Sequence, residues 1–195
     1  MDNIMRRVVL AALLPLFSLP VFAQSGEVDR LANEIESEVI SWRHHLHEYP
    51  ELSNREFKTA EYVARHLRSL NLEVQTGVAK TGVVAILDSG RPGPVVALRA
   101  DMDGLPVPEE NDLPWRSTQR GEYNGNDVPV MHACGHDTHM AMLMGAASVL
   151  TSMKDKLHGK VKFIFQPAEE GAPAGEKGGA EVMVQEGVLK SPDVD

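Results

Sequence analysis

Residues 138–166 read THMAMLMGAASVLTSMKDKLHGKVKFIFQ, and the fold turns on how this stretch divides. From Thr138 to Met153 apolar side chains fall on nearly every side, with Ala141, Leu143, Ala146, Ala147, Val149 and Leu150 among them. A helix without a polar face is buried, not laid on the surface. After a polar turn, Val161, Phe163 and Phe165 belong to a strand that ends at Gln166-Pro167. Upstream, Gly82–Leu87 and Val95–Ala100 are short valine-rich runs consistent with buried strands, and Gly90, Pro92, Gly93 and Pro94 mark the turn between them.

Leu72, Val74 and Thr76 alternate with polar residues, as a half-buried strand would. Val28, Leu31, Ile35, Val39, Trp42 and Leu46 recur in steps of three and four, which predicts one long amphipathic helix stopped by Pro50. Ser53 with Glu56 forms a capping-box pattern that starts a second helix, through about Leu70. Pro106, Pro108 and Pro114 make residues 104–130 an irregular excursion. Gly171–Gly179 is a glycine-rich loop without a phosphate-loop pattern, and Ala180–Gln185 is a short helix closed by Gly187. Helices alternating with buried strands predict an α/β fold: a mixed, largely parallel sheet flanked by helices, in one domain over residues 24–195.

Composition bounds the function. With 195 residues, 43% apolar and 24% charged, the chain can bury a core and does not read as disordered. Its net charge of −9 lacks the basic footprint of a nucleic-acid binder. A single cysteine excludes a disulfide scaffold, so any role of Cys134 is solitary. Met1–Ala23 reads as a secretory signal peptide: Arg6 and Arg7, the apolar Val8–Phe22, then Val21-Phe22-Ala23 as the cleavage site. Pro15 and Pro20 interrupt that run, which is too short for a span, so a secreted, periplasmic chain without a stable membrane span is expected.

Three polar clusters lie just past predicted strand ends, where open α/β sheets place their ligand crevices. They are Asp101-Met102-Asp103, the run His132-Ala133-Cys134-Gly135-His136-Asp137-Thr138-His139, and Glu169-Glu170. Cys134 and His136 flank a glycine, so both side chains can turn to one point, and thiolate with imidazole suits zinc and its neighbours. Asp137 and His139 could orient a ligand from behind it. The same run also admits two other readings: a buried cysteine beside capping residues Asp137 or Thr138, or a cysteine-nucleophile hydrolase with His132 or His136 as base. Two adjacent glutamates raise one another's pKa when buried, and a cation offsets that cost. One then binds metal and the other moves protons, unless the pair is an exposed acidic loop. His44, His45, His66 and His158 read as solvated, Met140, Met142 and Met144 as core filler, and His47 has no role that its neighbours name.

The runs Leu46–Leu52, Arg99–Pro106, Met131–Asp137 and Gln166–Gly171 closely resemble the M20 metallopeptidase family, in its amidohydrolase branch of hippurate hydrolases, N-acyl-amino-acid deacylases and auxin-conjugate hydrolases. The resemblance implies two divalent metal ions, zinc, manganese, cobalt or nickel. It implies Cys134, His136 and Glu170 as ligands, Glu169 as the general base, and Asp103 as the aspartate that orients a neighbour. Asp101 stands where the wider family has a histidine ligand. The implied reaction is amide hydrolysis of small N-acyl amino acids, with Glu169 passing a proton from water to the leaving amine, a task suited to a buried Glu169. By the same resemblance family members are longer, carrying further histidine ligands and a lid or dimerisation domain that allows a homodimer. The expectation is therefore the N-terminal part of a catalytic domain, with the alternative of a non-catalytic metal-binding fragment.

Overall fold

The computed structural model describes residues 21–195, so most of the expected leader, residues 1–20, lies outside the described residues. The chain builds α1 (Val21–Glu34), α2 (Glu36–Glu48) and α3 (Phe57–Ser69), then strands β1 (Glu73–Val78), β2 (Gly82–Asp88) and β3 (Val95–Asp101). There follow a hairpin of β4 (Arg120–Tyr123) and β5 (Asn126–Pro129), helix α4 (His136–Ser152), strand β6 (Lys160–Gln166) and helix α5 (Gly179–Gln185). No described helix is long and apolar enough to cross a membrane.

The main sheet runs in the order β1-β2-β6-β3. It is mixed, yet only β3 and β6 run parallel, while β1 pairs β2 and β2 pairs β6 antiparallel. The expected largely parallel character is thereby corrected. A parallel pair needs a long crossover, and among these strands only β3 and β6 have one that carries a helix, α4. The turns after β1 and β2 are too short for it.

Strand alternation separates two cores. Val83, Ala85, Leu87, Phe163 and Phe165 face α2, α3 and α4 in the larger cluster. Val84 and Ile164 face the other way, onto Met183 of α5. Lys162 shares that second face and is buried, its Nζ donating to the carbonyls of Val188, Lys190 and Pro192 at 2.8, 3.0 and 2.9 Å. Three carbonyls match the three donors of an ammonium group, which is how the charge tolerates burial.

Several local expectations change. The long first helix breaks at Ile35, which leaves helical geometry at φ −107° and ψ 7°. Met142 is exposed, although Met140 and Met144 are core. His66 is half-buried against Trp42, with Nε2 3.1 Å from the Met144 carbonyl oxygen, and His44 stacks on Trp115 with ring centres 3.8 Å apart. The excursion 104–130 holds a regular hairpin. Asn124 and Gly125 take φ of 52° and 78° at its tip, the backbone for which an Asn-Gly pair is suited.

Candidate active site

β3 and β6 end side by side, Asp101 opposite Gln166, and the Met102 N–H donates to the Gln166 carbonyl at 2.9 Å. The excursion returns to the same edge because Leu105 and Met131 exchange backbone hydrogen bonds of 2.8 and 3.0 Å. That tie sets Met131–His136 beside Asp103 and starts α4 there. All three clusters expected to carry chemistry thus meet at the carboxyl ends of the parallel pair.

Gly135 precedes α4 with φ 114°, a conformation that favours glycine, and Cys134 and His136 reach from either side of this corner toward one point. Neither Asp137 nor Thr138 caps the helix, whose N-cap is Gly135 without a side-chain bond. The His136 Nδ1–H donates to the Asp103 carbonyl at 2.9 Å, which leaves Nε2 3.6 Å from Glu169 and 3.7 Å from Glu170. Donor atoms of Cys134, His136 and Glu170 lie within 4.8 Å of one another, and so do those of Asp101, His136 and His139. Both groups draw on the one imidazole.

Asp103 is fully buried and anchors the turn after β6. Its Oδ1 accepts the Glu169 N–H at 3.0 Å, and its Oδ2 accepts the Glu170 N–H at 2.9 Å and the Ser53 hydroxyl at 2.6 Å. Burial pushes the Asp103 carboxyl up, but these bonds and that from His136 outweigh it and hold it below the usual carboxylate range. Burial likewise pulls His136 down, yet Asp103 and Asp101 push it up to about 9. Asp101 is raised, chiefly by burial, although Arg99 opposes this at 3.2 Å.

Glu169 is exposed, with 39% of its side chain accessible, so the expected burial does not hold among the described residues. Cys134 is exposed as well, and its thiol is pushed up, first by a hydrogen bond with Glu170 and then by burial. An activated cysteine nucleophile needs the opposite shift, which argues against the cysteine-hydrolase reading. His132 is buried with both ring nitrogens unpartnered among the described residues, and burial lowers it to about 4.

The donor set suits a divalent cation. Glu170 Oε1 and Asp101 Oδ1 are buried without a hydrogen-bond partner among the described residues. A thiol, an imidazole with a free Nε2 and a carboxylate are the ligand types of zinc and its neighbours, and the second nitrogen of the histidine is already oriented by a carbonyl.

Behind α4 lies a second polar knot that the sequence did not reveal. Asp137 Oδ2 accepts from Arg43 Nε and His47 Nδ1, each at 2.8 Å, and His47 Nε2 reaches Glu109 Oε1 at 2.8 Å. His47 is buried and flanked by two carboxylates. Its bond to Asp137 does most to raise its pKa, against burial. Asp137 therefore steadies the turn that carries His136 rather than capping the helix.

The profile of peptidase family M20/M25/M40 matches residues 97–195. This chain belongs to that family. It is similar to an N-acyl-L-amino acid amidohydrolase of Geobacillus stearothermophilus, 46% identical over 86% of this chain and 42% of the relative. It is also similar to thermostable carboxypeptidase 1 of Saccharolobus solfataricus, 48% identical over 85% of this chain and 40% of that one. Among solved structures, a Bacillus subtilis protein described as a dinuclear metal binding M20 peptidase superposes with a TM-score of 0.72. It is 39% identical over 84% of this chain and 42% of that one. The M20 chain thus spans about two fifths of the length of the relatives it matches.

Proposed function

We propose that this M20 chain is part of a metal-dependent amidohydrolase acting on N-acyl amino acids or related small amides. The observation that carries the reading is the convergence of Cys134, His136 and Glu170 within 4.8 Å, with Glu169 beside them. In this reading Cys134, His136 and Glu170 hold divalent cations of the zinc, manganese, cobalt or nickel class. Such a cation, when bound, lowers the pKa of water and polarises an amide carbonyl.

Glu169 accepts the proton of the attacking water and returns it to the departing amine. Its exposure leaves that carboxylate free to meet a substrate. Asp103 fixes His136 through its carbonyl and the Glu169-Glu170 turn through its carboxylate. His139, Asp101 and Asp137 act behind the ligands. The relative named an N-acyl-L-amino acid amidohydrolase supports the substrate class. The leader reading of Met1–Ala23 belongs to the same proposal and places the protein in the periplasm, and a homodimer is the expected assembly of the full-length enzyme.

The test is metal content and N-acyl-amino-acid hydrolysis on the active enzyme that contains this chain. Glu169→Gln is expected to keep its cation and lose about 100-fold or more in turnover. Cys134→Ala is expected to lose the cation. A Glu169→Gln enzyme that hydrolyses at the normal rate would show the base assignment to be wrong.

A further inference from the structure

We propose that Glu56 is a positioning residue for the Glu169-Glu170 turn, an inference that rests on the cation-binding reading above. Three consecutive amide N–H groups enter that turn, and each meets a buried carboxylate. Ala168 donates to Glu56 Oε1 at 2.8 Å, Glu169 to Asp103 Oδ1 at 3.0 Å, and Glu170 to Asp103 Oδ2 at 2.9 Å. Ala168 itself sits at φ 48°, in the left-handed region that a side chain with Cβ avoids. The turn is therefore held in place from outside. Asp103 supplies two of the three holds, and Glu56 supplies the first.

Glu56 immediately precedes α3 and would serve as a helix cap by its spacing from Ser53. It makes no capping bond. Its side chain turns inward and is fully buried, and its second oxygen accepts the Thr81 hydroxyl at 2.6 Å. It has no ion-pair partner among the described residues, and burial pushes its carboxyl up. A buried carboxylate carries a desolvation cost that an apolar side chain of that size would avoid, but the apolar chain would leave the Ala168 N–H and the Thr81 hydroxyl without an acceptor. What the carboxylate adds is an acceptor for the N–H directly before Glu169. It ties the start of α3 to the turn that points Glu170 at Cys134 and His136. Removing such partners behind a metal ligand typically weakens metal affinity about 10–100-fold.

The experiment is a titration of the chain with cobalt(II) alone, followed by the thiolate-to-cobalt charge-transfer absorption of Cys134, beside amide hydrogen exchange at residues 168–170. Glu56→Leu is expected to weaken cobalt binding about 10-fold or more and to expose the Ala168 amide. Glu56→Gln is expected to restore both, since its oxygen can accept from Ala168 while its amide donates to Thr81, whose hydroxyl accepts equally well. Thr81→Val removes the other bond to Glu56 and destabilises the same region. It is expected to leave cobalt affinity within about threefold of the unaltered chain. A folded Glu56→Leu chain with normal cobalt affinity and a protected Ala168 amide overturns the proposal. So does a Thr81→Val chain weakened as much as Glu56→Leu. Should Glu56→Leu fail to fold, Glu56→Asp decides instead: it keeps the charge but is one methylene short of Ala168, and normal affinity in it overturns the proposal. If the unaltered chain gives no cobalt–thiolate absorption, the cation reading fails, and amide exchange alone decides whether Glu56 holds the turn.

Discussion

Gly135 carries the geometry of the site on one residue. At φ 114° any other residue is strained, and a Cβ there would meet no heavy atom within 4 Å, so the strain is purely in the backbone. Gly135→Ala is expected to cost about 1–2 kcal/mol in urea denaturation, the price of a left-handed residue. It should also weaken cation binding, because Cys134 and His136 leave this corner in directions set by that φ. Gly179 presents the opposite case. A Cβ there would lie 1.8 Å from the Pro167 carbonyl oxygen, so Gly179→Ala must displace the strand exit that leads into Glu169. The residue type was legible at these positions, but the distinction between an empty and a crowded glycine was not.

At the scale of elements, α2, α4 and the start of the excursion are joined by Arg43, His47, Asp137 and Glu109. Three of these are held away from their ordinary pKa. His47 is raised, first by its bond to Asp137, whereas Asp137 and Glu109 are lowered because their hydrogen bonds outweigh burial. A raised histidine stabilises the fold fully below its unfolded value of about 6.5, and that contribution fades as pH rises through the higher folded value. Lowered carboxylates stabilise above their unfolded values, and that contribution fades as pH falls through the lower folded ones. The contribution of this cluster to thermal stability should therefore hold level between about pH 4.5 and 6.5 and decline on the alkaline side. In His47→Gln the alkaline decline should flatten; an unchanged alkaline limb would mean that His47 does not carry it. In the sheet, Phe163 is fully buried between β2 and the helices, and Phe163→Ala is expected to cost about 3–5 kcal/mol by denaturation.

The four strands of the main sheet and α4 are legible in the sequence because each is a continuous run with one period. Sequence reading overlooked the β4–β5 hairpin because the prolines before it masked the Asn124-Gly125 signal. It read Ser53 and Glu56 as a cap because both types serve there. Their actual partners, Asp103 and Ala168, lie 50 and 112 residues away along the chain. His47 went unassigned for the same reason, since Asp137 is 90 residues distant.

For the whole molecule, a ligand that binds only the folded state stabilises it by mass action, about 2.7 kcal/mol at a hundredfold excess over Kd. Zinc, manganese or cobalt should thus raise the unfolding temperature of the chain, and a chelator should reverse the gain. Cys134→Ala should abolish the response, and a response that survives it would place the cation elsewhere. By itself the sequence determined which donor atoms the protein owns, and that they stand at strand ends, because hydrophobic period and residue chemistry are local properties. Only the tertiary structure decided that one of the three sheet pairings is parallel, that Glu169 is exposed, and that Glu56, Asp103 and His47 hold the site from behind. A hydrogen bond depends on distance and direction in space, and those are set by the packing of α2, α3 and α4 on the sheet.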